Sequence, residues 1–164
     1  WVIRVLEIGL VAGLVAHALM AMKLEFENRA KRPVKYIAFD GKANSKWYSR
    51  SMAILGTLIL IFLILHLSQF WWPTKVAVFN GEKENSYGMV KDTLSNPFFS
   101  IAYVLAFIAL GYHLLHGFQS AFQSLGLNHK KYTPIIKSLG VAFSVVVPGL
   151  FAAIALAILF GLVK

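Results

Sequence analysis

The 164 residues include no cysteine. That absence excludes disulfides, thiolate metal sites, iron–sulfur ligation and covalent attachment of a c-type haem. Charge is also scarce: 14% of residues are Asp, Glu, Lys or Arg, where a soluble domain carries about a quarter. An ordinary soluble domain is thereby excluded, and a content of 58% hydrophobic residues points to a membrane protein. Acids are scarcest inside the apolar segments, where Glu7 stands alone and near a segment end. Proton relays of transporters usually recruit Asp or Glu within the bundle, so that class is disfavoured. The chain opens on Trp1 rather than Met and is apolar from the start. With no basic n-region and no small-residue cleavage site, this stretch does not read as a signal peptide. The expectation is that the sequence begins partway into a longer protein.

What the chain does contain is four apolar segments, each long enough for the roughly 20 residues that a helix needs to cross a bilayer. They are predicted over residues 1–22, 48–72, 97–127 and 133–163. Arg4 and Glu7 lie near the outer end of the first. The third is longer than a perpendicular crossing needs, which implies tilt or an extramembrane turn. Pro148 in the fourth removes a backbone donor, and a kink is expected there. The predicted fold is all-α, an integral membrane helical bundle built as one transmembrane domain over residues 1–164.

The connections separate by charge. Lys23, Arg29, Lys31, Arg32, Lys35, Lys42, Lys46 and Arg50 face only Glu25, Glu27 and Asp40 across the first connection. In the second, Lys75, Lys83 and Lys91 are balanced by Glu82, Glu84 and Asp92. The third carries Lys130 and Lys131, with Lys137 just inside the next segment. The positive-inside rule therefore places connections 23–47 and 128–132 in the cytoplasm and 73–96 outside. Trp71 and Trp72 suit an outer interfacial belt. The formal charge of +9 is thus spent on topology, anionic lipid contact and a docking face for a cytoplasmic partner, not on nucleic acid.

Three of the five histidines, His17, His66 and His113, lie inside different apolar segments. An intramembrane histidine is expensive and asks for a partner or a ligand. One imidazole from each of several adjacent helices can hold a b-type haem. His17 lies six residues before Lys23, about 9 Å along a helix from the cytoplasmic boundary. Gly13 and Gly9 precede it at spacings of four, a bare face for a neighbouring helix or a flat macrocycle. His113 is followed at the same spacing by Gly117. His116 is one turn on, and spacing alone leaves either as the ligand. Gln119, Ser120 and Gln123 continue that helix with polar groups suited to haem propionates, a quinone carbonyl or neighbouring helices. His66 stands six residues before Trp72, too far outward to join the other two. The chain thus offers one complete pair and one orphan. His129, beside Lys130, reads as a solvated loop residue.

The order of these motifs resembles the cytochrome b membrane subunit of succinate dehydrogenase/fumarate reductase, in its single-subunit, two-haem type. His17-Ala-Leu-Met-Ala-Met-Lys23 looks like that family's second helix. Ser49-Arg50-Ser51-Met52, then Gly56, then His66-Leu67 looks like the third. His113-Leu-Leu-His116-Gly117, followed by Gly126, is similar to the fourth, with glycines four and thirteen residues after the ligand. That pattern picks His113 over His116. The final segment looks like the fifth helix, which holds no ligand.

The resemblance covers essentially the whole chain and implies one or two b haems, two in a full-length subunit. His17 and His113 would ligate the haem nearer the cytoplasm. His66 would ligate the outer haem with a histidine from a first helix, which is missing here. Arg50 and Lys23 become candidates to neutralise propionates. The subunit would anchor a flavoprotein and an iron–sulfur protein on the cytoplasmic side of a bacterial inner membrane. There it would exchange electrons with a quinone, often menaquinone in this type. Some members carry a glutamate two residues before the fourth-helix histidine, implicated in transmembrane proton movement; here that position is Gly111. The rival readings are another b-type quinol cytochrome and a helical transporter or structural anchor without haem.

Overall fold

In a computed structural model the described residues are 1–31, 43, 45–83 and 85–163. Arg32, Lys35, Asp40, Lys42 and Glu84 of the predicted connections lie outside them. Every regular element among the described residues is helical, and four helices are long and apolar enough to cross a membrane. The protein is an all-α membrane helical bundle. The four are α1 (Val2–Ala30), α3 (Met52–Phe79), α5 (Pro97–Ser124) and α6 (Thr133–Leu159). A single turn, α2 (Trp47–Arg50), precedes α3, and a shorter helix, α4 (Ser86–Ser95), lies between α3 and α5.

The chain divides into two compact units, Trp1–Ile54 and Leu55–Lys164. In the first, α1 runs eight residues past the predicted end at Met22 to Ala30. This extension is rich in helix formers and is braced by i,i+4 ion pairs, Lys23–Glu27 at 3.8 Å and Arg29–Glu25 at 2.6 Å. Such exposed pairs add only about 0.3–0.5 kcal/mol each.

The second unit departs from prediction at the end of α3. The helix does not stop at Trp72; it passes through a π-helical turn, Leu67–Trp71, and continues to Phe79. Pro73 would ordinarily clash with the carbonyl four residues back, that of Gln69. Gln69 lies inside the π-turn, where the wider winding relieves the clash and lets the helix go on. The predicted 73–96 connection is therefore largely helical. Its second helix, α4, starts at Asn85, whose Oδ1 accepts from the Gly88 N–H at 3.0 Å. Helix α5 starts in the same way: Asn96 Oδ1 accepts from Phe98 N–H at 3.0 Å, and Pro97 takes the first helical position.

Helices α5 and α6 make the most extensive helix–helix contact. Their buried positions are Ser100, Tyr103, Ala106 and Ala109 on α5, and Gly140, Ser144, Pro148, Ala155 and Ile158 on α6. Lipid is as apolar as leucine, so association within a membrane relies on close packing and interhelical hydrogen bonds. Small residues supply the close packing here. Ser100, fully buried, donates from Oγ to the Ala155 carbonyl at 3.2 Å. Helix α4 packs Val90 and Leu94 onto the same end of the pair, joining Tyr103, Ala155, Ile158, Phe62 and Phe70 in one cluster. Pro148 lies inside α6, which stays helical through it.

Candidate functional site

Helix α3 meets α5 through side chains at two depths, and each depth holds one of the intramembrane histidines. At the first, the half-buried His66 ring is caged by aromatics. Phe62, four residues before it, lies 5.7 Å away between centroids, Phe70, four after, 5.3 Å, and Tyr103 of α5, 6.0 Å. Phe62 and Tyr103 pack edge to face at 4.8 Å. The polar contacts form a short chain. His66 Nδ1 lies 3.4 Å from Tyr103 Oη, and Tyr103 donates to Gln69 Oε1 at 2.8 Å. Gln69 belongs to the π-turn that follows His66 directly. Turns of this kind recur at functional sites because they re-aim side chains.

At the second depth, His113 of α5 reaches towards Gly56 of α3. A Cβ on Gly56 would lie 3.6 Å from His113 Cε1 and 4.0 Å from Nδ1. His113 Nδ1 is shielded from solvent. Glycine thus opens the space on α3 that the ring occupies. Gly56 and His66 are ten residues apart on α3, as are Tyr103 and His113 on α5. Ten residues rise about 15 Å, so the two imidazoles mark two layers separated by about that distance. His116, one turn beyond, places Nε2 3.2 Å from Ser120 Oγ on its own helix.

The other predicted positions are placed as follows. His17 and Gly13 lie on α1 in the first unit, both exposed. A Cβ at Gly13 or Gly117 would meet no atom within 4 Å, so both are bare surfaces. Arg50 ends α2, exposed, with its guanidinium donating to the Ser45 carbonyl and, at 3.4 Å, to Ser45 Oγ. His129 is exposed in the connection before α6, its Nδ1 accepting from Lys131 N–H at 3.2 Å. Lys75 lies over the Trp71 ring at 5.6 Å.

Sequence reasoning missed Tyr103, Gln69, Phe62 and Phe70. One signal was available for Tyr103: it stands six residues after Pro97, as His66 stands six before Trp72. In antiparallel neighbours that symmetry puts the two at one depth.

A family model for the succinate dehydrogenase/fumarate reductase transmembrane subunit matches residues 27–152. The chain belongs to that family. No curated protein and no solved structure matches the chain. The match to this transmembrane subunit family contains Arg50, Gly56, His66, Tyr103, Gly111, His113 and Gly117, and begins after Gly13 and His17. The family makes the chain a membrane subunit of a succinate dehydrogenase/fumarate reductase complex, for which haem and quinone are the expected groups.

The residues fit a haem. Two imidazoles stand half-buried at two depths of one helix pair. One of them has its Nδ1 in a hydrogen-bond chain and is flanked by aromatic rings. Metal-bound histidines usually have this arrangement, with one ring nitrogen held by a partner while the other coordinates.

Proposed function

We propose that this subunit is the b-type cytochrome anchor of its complex, carrying two haems at two depths. It would pass electrons between an iron–sulfur partner and a membrane quinone. The observation that carries the reading is the pair of layers between α3 and α5. One imidazole lies in each, about ten residues and therefore about 15 Å apart. Bound haem supplies one-electron exchange at iron, the chemistry that connects a one-electron iron–sulfur chain to a two-electron quinone.

His113 would hold the haem nearer the cytoplasm, with His17 as the second ligand that the family resemblance implies. His66 is one ligand of the outer haem. His113 is preferred to His116 because glycines follow it at four and thirteen residues, Gly117 and Gly126, as in the family pattern. Gly13 and Gly117 leave room for the macrocycle, and Arg50 and Lys23 supply positive charge for propionates. An apolar setting would limit water at the iron and help to set its potential. Two histidines to each haem would leave oxygen no place at the iron, which suits electron transfer.

The partners are the flavoprotein and iron–sulfur subunits, docked on the basic side formed by connections 23–47 and 128–132. The 73–96 side faces outward from a bacterial inner membrane. Menaquinone is the quinone that the two-haem type implies. The test is a reduced-minus-oxidised spectrum of the purified complex. Two b-type components are expected, with loss of the cytoplasmic-side one in His113→Ala and its retention in His116→Ala. A complex without b-type bands would sink the reading, and the opposite result for the two alanine variants would move the ligand to His116.

A further inference from the structure

The hydrogen bonds around His66 have a direction. A tyrosine hydroxyl has one proton, and Tyr103 gives it to Gln69 Oε1 at 2.8 Å. The contact between Tyr103 Oη and His66 Nδ1, 3.4 Å, is then a hydrogen bond only if Nδ1 carries the ring proton and donates. A neutral imidazole has one N–H, so Nε2 keeps its lone pair. Phe62 and Phe70, one turn before and one turn after, hold the ring plane. Among the described residues Tyr103 is the only hydrogen-bond partner of the His66 imidazole.

We propose that Tyr103, oriented by Gln69, is a positioning residue that fixes His66 as the Nδ1–H tautomer and leaves Nε2 to bind haem iron. The proposal rests on the reading of His66 as a haem ligand. At 3.4 Å the bond is longer than the usual ~2.7–3.2 Å. A ring that gives electron density from Nε2 to a cation has a more acidic N–H, so the bond shortens on ligation. A partner that draws on the Nδ1 proton also makes the imidazole a stronger donor, which favours ferric over ferrous iron. Tyr103 therefore tunes the outer haem as well as orienting its ligand. The π-turn has a place in this, since it carries the residue that takes the Tyr103 proton.

The experiment is a potentiometric titration of the outer haem in the intact complex, with its low-spin electron paramagnetic resonance signal, for Tyr103→Phe and Gln69→Leu. Tyr103→Phe keeps the ring in the aromatic cluster and removes only the oxygen. At fixed potential the ferrous-to-ferric ratio of the outer haem should rise about threefold, equivalent to an upward shift of about 28 mV at 59 mV per tenfold. The low-spin signal should move with it, and the cytoplasmic-side haem should not. Gln69→Leu should move the potential the same way by less. If Tyr103→Phe does not assemble, the Gln69→Leu titration decides alone. An outer-haem potential that stays at the wild-type value in a haem-replete variant overturns the proposal. His66→Ala separates the two ideas: if it retains both haems, the ligand assignment is wrong, and the tautomer proposal goes with it.

Discussion

Gly56 offers the sharpest test of the His113 layer, because a graded set of side chains there meets the imidazole at known distances. A Cβ would sit 3.6 Å from His113 Cε1 and 4.0 Å from Nδ1, ordinary van der Waals contact. Gly56→Ala should therefore leave the ring where it is and retain haem. Isoleucine adds carbons about 1.5 Å further out. Directed at the ring, such a carbon would stand near 2 Å from Cε1 by subtraction from 3.6 Å, so the imidazole must retreat by about 1.5 Å to restore a carbon–carbon contact of about 3.5 Å. Overpacking of this kind costs about 1–3 kcal/mol. If that falls on the ligated state, haem affinity drops about 5- to 140-fold at 1.4 kcal/mol per tenfold. The assay is the haem-to-protein ratio of the purified complex, with the low-spin signal of each haem and thermal stability as the control for folding. The expected order is glycine equal to alanine, with isoleucine depleted in the cytoplasmic-side haem alone. A Gly56→Ile complex with both haems at full occupancy and unchanged signals would refute the placement of His113 against Gly56.

Two further outcomes test the α5–α6 scaffold. In Gly140→Ala the new methyl would come 2.7 Å from Phe118 Cδ1, and Phe118 is itself packed against Phe122 and Phe143. Unfolding in mixed micelles should show a loss of about 1–3 kcal/mol, recovered largely in the Phe118→Leu background; a neutral single variant would mean the two helices are not so close. Ser100→Ala removes the interhelical bond to the Ala155 carbonyl. The same measurement should register about 0.6 kcal/mol, the usual worth of such bonds in membrane helices, whereas a gain in stability would argue against the bond.

The spans were readable because hydropathy needs no tertiary information: twenty apolar residues must cross or aggregate, whatever their neighbours. Their ends were not. At Trp72 the reading stopped on an interfacial tryptophan pair followed by proline, the ordinary sign of a helix end. The π-turn reverses that sign, and nothing in Leu67–Trp71 announces it. Helix α4 was passed over because its sequence is polar, although Asn85 caps it as a side-chain oxygen before a helix should. At the site, His66 and His113 stood out as polar atoms in hydrocarbon. The Tyr103–Gln69 chain did not, because it joins two helices whose relative rotation cannot be read from either alone.

Position 111 shows how the two faces of α5 divide the work. Pro148 has no N–H, so the Ser144 carbonyl lacks its usual donor four residues on. That carbonyl faces Gly111, where a Cβ would stand 3.1 Å from its oxygen. Any side chain here would press its Cβ on that peptide. Glycine at 111 is therefore explained by the approach of α6 alone. Residues two apart on a helix point about 200° from each other, and His113 accordingly faces Gly56 of α3 while Gly111 faces α6. The α3 side of α5 carries both histidine layers, and the α6 side carries small residues, the Phe107–Phe151 and Phe118–Phe143 ring contacts and the buried Ser100 bond. Helix α6 contains no histidine, and its buried positions are Gly140, Ser144, Pro148, Ala155 and Ile158. Its role is to hold the back of α5 in register, so that Tyr103 and His113 keep their depths opposite His66 and Gly56.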